Sequence, residues 1–115
     1  MSEFVVVLTT LPAAFDAVAL GRELVESRLA ACVNVLPAMQ SVYRWQGAVQ
    51  VDAEQQLVVK TAAAQVGALW TALRTRHPYE TPEFLVLPIL DGSTGYLAWV
   101  KENTGQERSR IKSEL

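Results

Sequence analysis

The side chains able to do chemistry in this chain are few. His77 is the sole histidine and opens the stretch His77-Pro78-Tyr79-Glu80. A neutral imidazole suits copper or zinc, and a carboxylate such as Glu80 suits a harder ion. At the end of a helical stretch the same histidine also reads as a cap for the last carbonyls. Cys32 is the sole cysteine and lies in an apolar run, where a thiol packs as a small hydrophobe. A Cys32–His77 nucleophile pair would lack a third group to orient the base. Lys60 ends the run Leu57-Val58-Val59. It either snorkels to the surface or meets an anionic ligand. Tyr43 and Trp45 flank Arg44 and read as interface or core aromatics, or as walls of a ligand slot. Asp52 and Glu54 are two apart, so on a strand they share a face. They read as solvated hairpin charges, or as a carboxylate pair for a cation or for acid–base work. Neither G-x-G-x-x-G nor G-x-x-x-x-G-K-[ST] occurs, so those phosphate cradles are missing. No constellation here points to an enzyme.

Such residues need a scaffold, and the composition supports one. The chain has 115 residues, the size of one domain, and 50% of them are apolar. Glycine and proline number 6 and 5, which excludes collagenous and low-complexity chains. Ten basic against twelve acidic residues give a net charge of −2, without the basic footprint that nucleic acid requires. The aromatic signature of RNA-recognition domains is also absent. One cysteine cannot form an internal disulfide. The longest apolar runs, such as Phe84 to Ile89, are far short of the roughly 18 residues of a membrane span. With no secretory pattern at the N-terminus, these features predict a cytoplasmic protein with no membrane partner.

Local patterns divide the chain. Glu3 to Thr9 is a β-branched run that reads as a buried strand. Pro12 suits the first turn of a helix over Ala13 to Arg28, with Ala14, Val18, Gly21, Leu24 and Val25 as its apolar stripe. Gly21 there implies close approach to a sheet. Ala31 to Leu36 reads as a second strand, interrupted by Pro37, which demands a bulge or an edge. The strand resumes over Ser41 to Trp45 and turns at Gln46-Gly47 into a long third strand ending at Thr61. Val66, Leu69, Trp70 and Leu73 mark a second helix over Ala62 to Arg76, stopped by Pro78. Glu83 to Ile89 is a fourth strand, Ser93 a candidate N-cap, and Tyr96, Trp99 and Val100 a short third helix. The order is that of an α+β, ferredoxin-like β-α-β-β-α-β sandwich with an added C-terminal helix. A single domain is expected over 1–115, its core about 3–103 and a tail over 104–115. Two helices cover one face of an antiparallel sheet, leaving the other face for water, a ligand or another subunit.

Six segments in order resemble one family. They are Val7 to Pro12, Leu29 to Asn34, Ser41 to Gly47, Leu57 to Thr61, His77 to Glu83 and Tyr96 to Trp99. Together they are similar to the CutA divalent-cation tolerance proteins. The resemblance implies a homotrimer, with long hairpins of neighbouring subunits paired edge to edge. It implies a role in tolerance to copper and other divalent cations, and no catalysis. The trimer is similar in outline to PII-type signalling proteins, which bind small ligands between subunits. In bacterial members a Cys near the end of the first strand and a His pair bind metal; those positions hold Thr9, Arg76 and His77 here. The resemblance therefore implies His77 as the retained ligand for copper or zinc, bound weakly or indirectly. The alternative reading is an anionic small molecule in a cleft formed by Tyr43, Trp45, Lys60, Tyr79 and Glu80.

Overall fold

A computed structural model describes residues 2–106; residues 107–115, most of the expected tail, lie outside the described residues. The elements run β1 (Phe4–Pro12), α1 (Ala17–Glu26), β2 (Cys32–Val35), β3 (Met39–Trp45), β4 (Ala48–Ala62), α2 (Val66–Arg76), β5 (Leu85–Pro88) and α3 (Thr94–Glu102). The sheet order is β2-β4-β1-β5, with β3 also paired to β4 and every pairing antiparallel. Setting β3 aside, that is the ferredoxin-like order expected from the alternation of elements, with α3 added at its end.

The sheet has five strands where four were expected. Val35 lies opposite Leu57 and Met39 opposite Glu54, so one extra residue separates β2 from β3 against β4. That bulge contains Pro37, which has no N–H for the ladder. At the hairpin tip Gln46 and Gly47 have φ of 50° and 81°, the two left-handed residues of a type I′ turn.

Period-two alternation sorts β1 and β4 into two faces. Val5, Val7 and Leu11 of β1, with Leu57 and Val59 of β4, face the helices. They meet Leu20 and Leu24 of α1 and Leu69 and Leu73 of α2, giving one core. Two expectations for α1 fail. Pro12 ends β1 opposite Glu54, and the helix begins only after Asp16, whose carboxylate accepts the Ala19 N–H at 3.0 Å. Its buried stripe is Ala17, Leu20, Gly21 and Leu24, while Val18 and Val25 are exposed. Gly21 does press on the sheet: a methyl group there would stand 3.2 Å from Val33 Cγ1. Ser93 caps α3, its hydroxyl accepting the Tyr96 N–H at 3.3 Å.

The far half of the β3–β4 hairpin projects beyond the helices, and the chain measures 58 × 27 × 23 Å along its principal axes. Val42, Val49 and Val51 lie on the hairpin face continuous with the buried side of the sheet. Among the described residues no helix covers them, and they are 68%, 62% and 59% exposed.

Candidate functional site: a histidine, tyrosine and carboxylate cluster at the hairpin root

The polar residues gather where the hairpin leaves the sheet. Leu69 and Leu73 bury one side of α2, which delivers its last turn to the end of β1. His77 caps that helix, and its N–H donates to the Leu73 carbonyl at 2.8 Å. Pro78 forces the residue before it into extended backbone, so the chain leaves the helix axis there. The His77 ring then turns inward and is buried. Its Nε2 lies 2.7 Å from the Thr10 carbonyl oxygen, and its Nδ1 lies 3.1 Å from the Tyr79 backbone nitrogen. A carbonyl only accepts and a backbone N–H only donates. The ring is therefore the neutral tautomer protonated at Nε2, with its Nδ1 lone pair taken by Tyr79. Burial holds the His77 pKa below its ordinary value, opposed by the Thr10 carbonyl and the Glu54 charge.

Tyr79 packs against that ring, with centroids 5.0 Å apart. Its hydroxyl donates to Glu54 at 2.7 Å. Glu54 is buried at 8% exposure, so the phenol supplies a hydrogen bond that the carboxylate could not take from bulk water. Burial, then the hydrogen bond to Glu54, pushes the Tyr79 pKa well above its ordinary value, keeping the phenol protonated as a donor. Along the hairpin Tyr43 donates to Asp52, and that hydrogen bond is the leading cause that raises the Tyr43 pKa. Toward the sheet Gln56 Nε2 donates to Glu83 at 2.9 Å. The connection from α2 to β5 is thus tied to β1 and β4 at Thr10, Glu54 and Gln56.

The expected site residues do not all meet within one chain. His77, Tyr79 and Glu54 form one cluster, and Tyr43 joins its hairpin side beside Asp52. Trp45 is at the hairpin tip, opposite Ala48. Glu80 is exposed and stands outside the hydrogen bonds that build the cluster. Lys60 lies six residues further along β4 than Glu54, roughly 20 Å at strand rise, and donates to Asn34 Oδ1. Cys32 sits opposite Lys60 on β2, half-buried.

Of the positions the resemblance assigns to metal, Arg76 pairs with Glu23 on α1 and Thr9 is buried with no partner for its hydroxyl. Among the described residues no three His, Cys, Asp or Glu side chains gather to hold an ion. These three residues do not fit a copper ligand set as they stand. The carboxylate pair differs from its expected setting. Asp52 and Glu54 share a strand face as their spacing predicts, but Glu54 is a buried, phenol-bonded group rather than a solvated charge. No local pattern announces this, because its partner lies 25 residues away.

The chain has close relatives of known family. A family model described as CutA1 divalent ion tolerance protein matches residues 5–103. The divalent-cation tolerance protein CutA of Thermus thermophilus is 47% identical over 100 residues, covering 87% of this chain and 97% of that protein. The solved structure of the divalent cation tolerance protein from Thermus thermophilus superposes with a TM-score of 0.85 at 46% identity, over 89% of this chain and 99% of that one. The crystal structure of CutA1 from Oryza sativa gives 0.87 at 38% identity, over 91% and 96%. With nearly the whole described chain matched in sequence and in fold, the protein belongs to the CutA1 family of divalent ion tolerance proteins.

Proposed function

We propose that this chain serves divalent-cation tolerance as a homotrimer that binds copper or zinc weakly or indirectly and catalyses no reaction. The observation that carries the weak-binding part is the His77 ring. Both of its nitrogens hold backbone partners, so the ring offers an ion no bare nitrogen and binding is left to weaker donors or is indirect. Metal ligation needs a free lone pair, and here it competes with a bond already made. The assembly part is supported by the apolar faces that the described residues leave uncovered. These are Val42, Val49 and Val51 on the hairpin and Leu85 and Leu87 on the open side of the sheet. Cytoplasmic residence belongs to the same reading, and its support is that Cys32 stands as a free thiol.

An anionic small molecule between subunits is the second reading, and the charge at the hairpin root opposes it. The phenols of Tyr43 and Tyr79 are each occupied by a carboxylate. An anion there would meet negative charge, and Lys60 could join only from another copy or along the strand.

Titration calorimetry with copper(II), zinc(II) and a nucleotide on one preparation tests the choice, with light scattering on the same sample. The expected result is a three-chain mass, weak heats with the metals and none with the nucleotide. A tight stoichiometric copper site overturns weak binding, a monomeric mass overturns the assembly, and a strong nucleotide heat favours the second reading.

A further inference from the structure

We infer that His77 is a latch in this chain rather than a metal ligand: its ring bridges the Thr10 carbonyl of β1 and the Tyr79 amide, and so seats the Tyr79 phenol on Glu54. Each of the three positions that the resemblance assigns to metal carries a scaffold role here. Thr9 fills the helix-facing side of β1 with its hydroxyl unpartnered. Arg76 cannot ligate, since a guanidinium offers no lone pair, and it joins α2 to α1 through Glu23. His77 has the donor and acceptor of one tautomer matched to a fixed acceptor and a fixed donor, at 2.7 and 3.1 Å. A ligand histidine presents one bare nitrogen to the ion and orients the other with a second partner. This ring has the orienting partner at both nitrogens.

The latch acts on a defined group. The Tyr79 amide that His77 holds is two residues along from the ring, and the Tyr79 phenol is the hydrogen-bond donor to the buried Glu54. Glu54 lies opposite Met39 on β3 and Pro12 on β1, where the hairpin parts from the sheet. Releasing the ring frees the Tyr79 backbone first and the cover of Glu54 second. Function of this kind needs no metal and does not depend on the number of chains assembled, so it stands or falls separately from the trimer.

The chain contains a single histidine, so labelling with ring-15N histidine yields the signals of His77 alone. At neutral pH the ring of the full chain should show one protonated nitrogen, at Nε2, and one bare acceptor, at Nδ1. One equivalent of zinc chloride should leave both shifts in place. Two conservative variants separate the bonds. His77→Gln keeps a donor for the Thr10 carbonyl, and His77→Asn keeps an acceptor near the Tyr79 amide. Exchange of the Tyr79 amide with solvent should accelerate by about tenfold in His77→Gln and much less in His77→Asn, as expected for one lost hydrogen bond. Copper affinity should be the same in wild type and both variants. A shift of the Nδ1 signal at one equivalent of zinc, or a loss of copper binding in both variants, overturns the inference. So does a Tyr79 exchange rate that neither variant alters. The zinc titration uses unmodified protein, so the proposal remains exposed if a variant fails to fold.

Discussion

Glu54 is a carboxylate in a buried setting. A carboxylate at 8% exposure has little water to bond with, and the Tyr79 hydroxyl is its donor at 2.7 Å. Tyr79→Phe deletes that donor and leaves the acceptor buried. The expected loss of stability is about 1–3 kcal/mol, the usual cost of orphaning a buried polar group. Denaturant unfolding measures it, and adding Glu54→Gln to Tyr79→Phe should recover part of the loss. His77 supplies a pH dependence. Its folded pKa is held below the ordinary value near 6.5, first by burial. Below pH 6.5 the unfolded chain takes up the proton more readily than the folded one, so stability rises with pH there. Its contribution is complete above about pH 6.5 and is lost as pH falls toward the depressed value. The Thr10 carbonyl and Glu54 act in the opposite sense and limit the loss. Melting curves at successive pH values should show a decline below pH 6.5 that His77→Gln flattens. An identical decline in the variant would assign the proton elsewhere.

Elements were legible in the sequence where a period or a turn signal stood alone, and illegible where two signals competed. In α2 the spacing of Val66, Leu69, Trp70 and Leu73 leads to the right face: Leu69 and Leu73 are buried, and Trp70 packs on Phe84 with centroids 4.8 Å apart. In α1 two apolar stripes overlap at Gly21 and Leu24. The stripe with Leu20 wins because leucine buries more surface than Val18, and an N-cap at Asp16 starts the helix later than Pro12 suggests. The root cluster was half legible. His77 and Tyr79 lie close in sequence, but Glu54 and Thr10 join them only through the sheet register. The hairpin turn carries its own prediction. Gln46 has φ of 50°, a conformation that costs most L-residues about 1 kcal/mol and that asparagine tolerates better. Gln46→Asn is expected to stabilise the protein by about 0.5 kcal/mol, and Gly47→Ala to destabilise it by about 1 kcal/mol, both read from chemical denaturation. A neutral Gly47→Ala would show that the tip is frayed in solution.

At the scale of the whole molecule, the described residues of one chain leave apolar surface open. Valines are rare in exposed clusters on a monomer, and the hairpin presents Val42, Val49 and Val51 together with no layer of described residues over them. Outer edges of β2 and β5 also stand unpaired, among the described residues, at the two ends of the sheet. Exposed edges and apolar strands invite pairing with another chain, and a closed ring removes every such edge at once. Homotrimeric assembly, proposed above, therefore couples folding to association. The melting temperature should rise with protein concentration, because dilution favours separate chains. Val51→Lys places a charge opposite Val42 on the hairpin without touching the core. It should reduce the mass measured by light scattering, or lower the melting temperature and steepen its dependence on concentration. A wild-type chain that scatters as a monomer, or a Val51→Lys variant with unchanged mass and melting, would mean that the valine face is solvated and that some other surface stabilises the hairpin.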